Sequence, residues 1–559
     1  MADGSITIDG REIPFDRSES IIAAATRAGI RIPHYCWHPG LSAPANCRMC
    51  LVEILPAPGR PVLMLDILRW DPEAGRYERV RKPKLMPACQ VLCENGMQVK
   101  ADSSEHVRQA RRAVQEMLLL DHPVDCPICD QAGECALQDY WREHQHARKR
   151  MLDEPVHKPK RVPFGRAVVY DAERCVLCTR CIRISRELGK DPVLGLRERG
   201  HLKEVVLSPG RELAHDYSLM TAHACPVGAL TARHFRFKAR AWLLRSGPTI
   251  CQGCATGCNA HLDYDPRTGT PLRYRPRTNL EINRYWMCDE GMLSYARQSE
   301  ARLCTALVGG EEASIDEALA AAREQLGGHE AHPEEMAIVL SAQHSCEDNL
   351  ALGRLARGFL KGTGVAAGTP PWRADVFLSR CPDGRGDDVL RSADKNPNTA
   401  GVRRVLEMLG GAAGYCPRPF AELVAALAQE KYRYVISLGA ELDVDEAQAK
   451  DLLSRTKAFV VIASREGPLT KAAHIALPAA SWAEAAGTYV NRDGIAQRAA
   501  AVLPRRGVAR PGWELVHLLG RALGYGVGLG SRREIEQAMT ESAGPGAVPA
   551  ETGAAEVRA

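Results

Sequence analysis

Fifteen of the twenty cysteines, together with one histidine, fall into four groups whose spacing leaves little freedom in how the first half of the chain can fold. The groups are Cys36-x10-Cys47-x2-Cys50-x38-Cys89; His122-x3-Cys126-x2-Cys129-x5-Cys135; Cys175-x2-Cys178-x2-Cys181-x43-Cys225; and Cys251-x2-Cys254-x3-Cys258-x29-Cys288. Each group offers four soft donors, and an iron–sulfur cluster is held by four protein ligands, usually thiolates. Four such sets are what four clusters need. A chain that carries them is expected to move electrons.

Composition decides whether these cysteines read as metal ligands or as disulfides. Twenty cysteines in 559 residues is well below the roughly 8–10% of small disulfide scaffolds. The opening MADGSITID carries no basic n-region or apolar h-region, so no secretory signal is read. No run of about 18 apolar residues is present; the best stretch, Ala472 to Val490, is broken by His474 and Glu484. The expectation is a soluble chain of a reducing compartment, reaching a membrane only through partners, with clustered cysteines as metal sites. The balance of 73 basic against 68 acidic residues gives no electrostatic support for nucleic-acid binding. The length suggests about four domains at about 150 residues each.

The first group sits in a small domain. Ser5 to Pro14 alternates apolar and polar residues around Asp9-Gly10, a hairpin signal. Ser18 to Ala28 reads as a helix, with Ser18 as N-cap and Ile21, Ile22 and Ala25 on one face. Hairpin, helix and Cys-rich loop resemble the β-grasp ferredoxin plan, with a ten-residue first gap in place of the four of plant-type ferredoxins. Cys93 competes with Cys89 for the fourth position, and the Pro87-Ala88-Cys89 context favours Cys89. Leu55 to Lys84, rich in proline, glycine and charge, reads as a surface insertion.

In the second group an imidazole replaces one thiolate, which removes a negative charge and, other things equal, raises the potential of a bound cluster. Zinc accepts the same set of three cysteines and one histidine, and zinc also remains open for the first and fourth groups. Cys175-x2-Cys178-x2-Cys181 with Cys225-Pro226 is the bacterial ferredoxin pattern for one cubane. No second triplet lies between Cys181 and Cys225, so one cubane is expected there. Cys251 to Cys258 with Cys288 has the spacing seen at the front of molybdopterin-type oxidoreductases.

From about residue 303 the character changes. Glu334 to Ala342, Tyr432 to Gly439 and Lys457 to Ala463 contain short β-branched runs typical of strands buried on both faces. Helical stretches alternate with them at Ile315 to Leu326, Leu350 to Leu360, Ala421 to Ala428 and Asp445 to Ser454. That alternation reads as an open parallel α/β sheet. No dinucleotide-binding G-x-G-x-x-G follows a strand, and no P-loop motif occurs. Gly524, Gly526, Gly528 and Gly530 read as a turn, and Cys304, Cys346, Cys381 and Cys416 as small apolar fillers. Ala543 to Ala559 has a disordered composition. Basic clusters at Arg148 to Arg150, Lys158 to Arg161 and Arg233 to Arg240 read as solvated linker faces, with a docking surface for an acidic partner as the alternative.

The order of the four groups, followed by the α/β half, resembles the large iron–sulfur subunit of respiratory complex I. The likeness extends through Asp394 to Asn398 and through Ile475 to Pro478, Glu484, Gly487, Thr488, Asn491, Gly494, Gln497 and Arg498. It implies one [2Fe-2S] cluster on Cys36, Cys47, Cys50 and Cys89. It implies three [4Fe-4S] clusters: on His122, Cys126, Cys129 and Cys135; on Cys175, Cys178, Cys181 and Cys225; and on Cys251, Cys254, Cys258 and Cys288. No molybdopterin, NAD or FMN is expected on this chain. Implied partners are an NADH/FMN-binding subunit and a quinone-proximal iron–sulfur subunit, at the cytoplasmic face of the bacterial inner membrane. The implied division starts with a [2Fe-2S] β-grasp ferredoxin domain at 1–100 and a [4Fe-4S] module with one histidine and three cysteines at 101–155. A [4Fe-4S] ferredoxin-like module at 156–245 and a four-cysteine [4Fe-4S] module at 246–302 come next. A shortened molybdopterin-oxidoreductase-like α/β body without molybdenum at 303–535 and a tail at 536–559 complete it.

Three rivals share parts of this pattern. A molybdenum formate dehydrogenase needs a longer body than the 271 residues that follow Cys288, and a cysteine or selenocysteine for molybdenum. An iron-only hydrogenase needs further grouped cysteines downstream. A zinc scaffold would use the same ligands with no redox role.

Overall fold

The computed structural model describes residues 3–56, 61–71, 73–144, 151, 153–327, 335–360, 375–378, 384–409, 418–439, 444–525, 533, 534 and 537. Cys381, Cys416, Arg148 to Arg150, Gly526, Gly528, Gly530 and the tail from Ala543 lie outside the described residues. The chain divides into two compact units, Met1–Leu243 and Leu244–Thr552.

The first unit opens with the expected hairpin. Gly4–Ile8 pairs antiparallel with Arg11–Phe15, and Asp9 and Gly10 take φ values of +47° and +85°. Left-handed backbone at both central residues is what a tight turn between right-twisted strands requires. Gly4–Ile8 also pairs in parallel with Met97–Lys100, inside a five-stranded sheet that continues through Leu51–Ile54 to Met86–Pro87. One helix covers it, but it starts later than Ser18: it runs Ile21–Arg27 with Ser20 as N-cap. Ser18 has φ +66°, a left-handed turn that cannot open a right-handed helix. Ile21, Ile22, Ala24 and Ala25 bury against Ile6, Ile8, Val52 and Val99. The insertion forms its own ribbon, Met64–Asp71 antiparallel to Arg76–Pro83, and leaves Leu68 and Tyr77 exposed.

Two helices follow, Glu105–Asp121 and Ala136–His144. The first is capped by Ser104, whose hydroxyl accepts the Val107 amide at 3.4 Å. Buried Tyr35 hydrogen-bonds to Gln115 of this helix and packs edge-on against Tyr140 of the next, with ring centroids 5.2 Å apart. A three-stranded sheet (Leu230–Ala232, Val168–Tyr170, Val162–Pro163), a two-stranded sheet (Leu194–Arg197, Glu204–Leu207) and the helices Arg180–Arg183 and Ser218–His223 also belong to the unit.

The second unit begins with three antiparallel strands, Arg245–Ile250, Asn259–Asp265 and Thr270–Pro276. It also holds an eight-stranded sheet in the order Glu311–Ala313, Ala306–Val308, Ile475–Pro478, Ala458–Ala463, Tyr434–Leu438, Met336–Leu340, Asp375–Leu378 and Arg418–Pro419. The six strands from Ile475–Pro478 onward are parallel. Alternate residues of one strand enter opposite cores, as a two-residue period demands. Ile338 and Leu340 pack under helices Ile315–Leu326, Cys346–Leu360, Thr399–Met408 and Gly512–Ala522. Ala337 and Val339 pack under Phe420–Ala428, Glu446–Ser454 and Pro468–Ala472. Helices on both faces of a parallel sheet make this half the α/β body that the strand runs suggest. Cys346 is buried in the first of these cores, as a filler should be.

One buried ion pair carries a testable load. Arg302 meets Glu484 at 2.5 Å, both side chains almost fully buried. Arg302→Met strands the carboxylate and is expected to cost about 3–5 kcal/mol of stability, seen as an earlier denaturation of the chain; an unmoved transition would contradict this.

Candidate iron–sulfur centres

In the first group Cys36, Cys50 and Cys89 are buried and Cys47 is half-buried. Cys36 hydrogen-bonds to Cys47 and Cys50 to Cys89, and charge on Cys36 and Cys47 is felt at Cys89, so the four sulfurs face one another. The hydrogen bond to its partner, then burial, pushes the Cys36 and Cys50 thiols up, while the same bonds hold Cys47 and Cys89 down. Left-handed φ at Ala45 (+50°) and Arg48 (+58°) turns the loop around this point. Cys93 lies elsewhere, beside Glu19 and Arg27, where burial pushes it up to about 11.

The second group starts where the helix Glu105–Asp121 ends. His122 is its half-buried C-cap residue, and a 3-10 turn, Cys126–Ile128, follows. Cys129 and Cys135 are buried and Cys126 half-buried. Burial first, then charge on Cys129 and Cys126, pushes Cys135 up to about 12. Basic side chains surround this loop. Arg174 pairs with Asp125 at 2.6 Å, and Arg240 donates to the Cys129 carbonyl at 2.8 Å. Lys160 pairs with Glu173 at 2.7 Å and Asp125 at 3.5 Å. Arg240 and Lys160 are therefore tied to the cysteine loop, not only solvated faces of a linker.

In the third group Cys178, Cys181 and Cys225 are buried and Cys175 half-buried. Burial pushes Cys175, Cys178 and Cys225 up to about 11, and charge on the other three raises Cys181 further beyond its own burial. Leu177 and Thr179, at φ +52° and +61°, wrap the loop so that the Leu177 amide donates to the Cys175 sulfur at 3.4 Å. Backbone amides of Val227, Leu230 and Ala229 point at the Cys225 sulfur. Next to Pro226, whose carbonyl accepts the Ala136 amide at 2.9 Å, lies Gly228. A methyl group on Gly228 would overlap the Cys129 sulfur, so the second and third loops meet with no room for a side chain.

In the second unit Cys251, Cys254, Cys258 and Cys288 are all buried. They line one small pocket with Gly253, Gly291, Arg391 and Lys395. Amides of Gly253 and Gly291 donate to the Cys251 and Cys288 sulfurs at 3.4 and 3.3 Å. A Cβ at Gly291 would lie 3.1 Å from the Cys251 sulfur and 3.3 Å from that of Cys288. Glycine is what allows backbone so near the sulfurs.

Among the described residues no group of three or more His, Cys, Asp or Glu side chains is set to hold a single metal ion. The donor sets fit a group held by several thiolates, with backbone amides near the Cys175, Cys251 and Cys288 sulfurs to stabilise charge on them. Cysteine spacing does not single out Arg174, Arg180 or Arg183. A signal for two of them is present in Cys178-Thr-Arg180-Cys181-Ile-Arg183, where two arginines three apart flank Cys181 on one helical turn.

Comparison with known proteins finds four family models along the chain. Residues 4–104 match a 2Fe-2S iron–sulfur cluster binding domain, and residues 111–150 the NADH-ubiquinone oxidoreductase-G iron–sulfur binding region. Residues 165–231 match the ferredoxin-like domain of NADH-quinone oxidoreductase subunit 3, and residues 398–522 the molybdopterin oxidoreductase family. The chain is 37% identical over 317 residues to the G subunit of the NADH-quinone oxidoreductase of Streptomyces coelicolor, covering 56% of this chain and 34% of that protein. It is 34% identical over 373 residues to NADH-quinone oxidoreductase subunit 3 of Thermus thermophilus, covering 63% and 46%. It is 34% identical over 331 residues to the mitochondrial NADH-ubiquinone oxidoreductase 78 kDa subunit of Candida albicans, covering 57% and 41%. The matches thus span between about a third and under half of the relatives' own length.

Proposed function

Because this chain is 35–37% identical over 52–56% of its length to G subunits of NADH-quinone oxidoreductases, we propose that it is an electron-transferring iron–sulfur subunit of an NADH:quinone oxidoreductase. It works beside an NADH/FMN-binding subunit and a quinone-proximal iron–sulfur subunit, at the cytoplasmic face of the membrane. Among the described residues no helix is long and apolar enough to cross a bilayer, and the membrane is reached through those partners. The ligands are Cys36, Cys47, Cys50 and Cys89 for a [2Fe-2S] cluster. Three [4Fe-4S] clusters use His122, Cys126, Cys129 and Cys135; Cys175, Cys178, Cys181 and Cys225; and Cys251, Cys254, Cys258 and Cys288. The observation that carries this reading is the gathering of the first, third and fourth cysteine sets around common points.

When bound, such clusters take up and release single electrons. The chain's own residues hold them and set the environment. Thiolates anchor, glycines admit the backbone, and amides of Leu177, Gly253 and Gly291 stabilise charge on sulfur. Burial in low dielectric penalises the extra negative charge of reduction and so lowers potential, against the amide donors that raise it. No residue makes or breaks a bond in substrate.

Removal of the chain from the complex tests the function. Membranes lacking it are expected to lose NADH-driven quinone reduction and to recover it on re-expression; retained turnover would sink the proposal, as would stoichiometric molybdenum with formate oxidation. His122 has its own test. His122→Cys adds a thiolate charge, so the cluster should persist with an altered EPR signal and a lower midpoint. An unchanged signal and midpoint would remove His122 from the ligand set.

A further inference from the structure

Two buried arginines join the first and third cysteine loops, and neither is a ligand. Arg183 donates through one Nη to the carbonyl of Cys36 at 2.5 Å and to the carbonyl of Cys178 at 3.2 Å; its other Nη donates to the Ser42 carbonyl at 2.5 Å. Arg180 donates to the carbonyls of Trp37 at 2.7 Å and Ala224 at 3.0 Å. Each guanidinium therefore spans the loop that begins at Cys36 and the backbone holding Cys178 or Cys225. Both side chains are nearly fully buried, Arg180 at 1% and Arg183 at 4% exposure. The Nε–H of each is buried with no acceptor among the described residues.

A guanidinium stays charged even when buried, and a buried charge needs a compensating one. No ion pair is formed by Arg180 or Arg183 among the described residues, although Glu187 lies near Arg183. What Arg183 does contact is the backbone of two candidate ligand residues, Cys36 and Cys178. Carbonyl dipoles alone are a weak counterpart for two cations so deep in a protein. Thiolate-ligated clusters on both sides, each net negative, are a strong one.

We propose that Arg180 and Arg183 form a shared cationic bridge between the Cys36-Cys47-Cys50-Cys89 centre and the Cys175-Cys178-Cys181-Cys225 centre, holding the two loops in register and raising both reduction potentials together. The proposal rests on the reading that these two sets hold clusters. Arg183 and Arg180 are positioning residues: they touch ligand backbone, not the reacting atoms. Positive charge favours the reduced, more negative state of each centre, so one bridge biases both.

Redox titration of the purified complex, followed by EPR, separates the possibilities. In R183Q both signals are expected at full intensity with both midpoints lowered. Poised at the wild-type midpoint, the oxidised-to-reduced ratio of each centre should rise about tenfold, which for one electron is about 59 mV. R183K, which keeps the charge, should restore most of that shift. If R183Q loses the centres outright, R180Q removes one charge with the Arg183 contacts left in place, and lowered midpoints there support the bridge equally. Full signals with unmoved midpoints in these variants would overturn the bridge while leaving the clusters standing. Absence of both signals from the wild-type complex would overturn the reading beneath it.

Discussion

Replacing Cys225 with alanine is expected to remove one four-iron centre, taking the chain from about fourteen iron atoms to about ten and cutting NADH-driven quinone reduction in the assembled complex to background. Cys225 is the one member of its proposed set that lies outside the Cys175 to Cys181 loop, and backbone amides of Val227, Leu230 and Ala229 face its sulfur. Three thiolates left on one short loop cannot close a cubane, and alanine offers no donor. The hydrogen bond from Ala136 to Pro226 puts this loop against Cys135 of the second proposed set, so the loss falls at a junction between two sets. Iron analysis and steady-state turnover read the two parts separately. Ten irons with undiminished turnover would place that centre off the route; fourteen irons would remove Cys225 from the ligand set.

Gly228→Val is expected to have the second largest effect, and at a different centre from the one whose loop it occupies. The added side chain would overlap the Cys129 sulfur and meet Gln131 Cβ at 3.2 Å, with Arg174 Cδ at 3.7 Å. Arg174 is fixed by Asp125 and cannot withdraw freely. Overpacking of this kind costs about 1–3 kcal/mol, and here it bears on a ligand atom. The EPR signal of the His122-Cys126-Cys129-Cys135 centre should fall or vanish, while that of the Cys175 to Cys225 centre survives. Equal, full signals from both would show that the two loops do not touch.

The α/β body and the first hairpin were legible because they depend on local rules, and the candidate cysteine sets could be listed from spacing. Asp9-Gly10 announces a turn through its backbone freedom, and the β-branched runs around Ile338, Ile436 and Val460 announce strands buried on both faces. Ser18 misleads because serine caps helices generally; only the φ of the folded chain shows that Ser20 takes the position. Cys89 and Cys93 lie four residues apart, and spacing alone does not decide between them. The turn between them aims Cys93 at Glu19 and Arg27 and leaves Cys89 facing Cys50. The arginines at 180 and 183 escape a reading by residue type because a charged side chain is normally solvated. Their burial is a long-range consequence, set by carbonyls more than 140 positions away in the chain.

The most direct test of the whole account is iron, acid-labile sulfide and EPR measured together on the complex purified without oxygen. About fourteen irons and a matching sulfide content per chain, with one binuclear and three tetranuclear signals after reduction, is the expected result. Zinc in place of iron, or a chain that stays colourless after reconstitution with iron and sulfide, would contradict it.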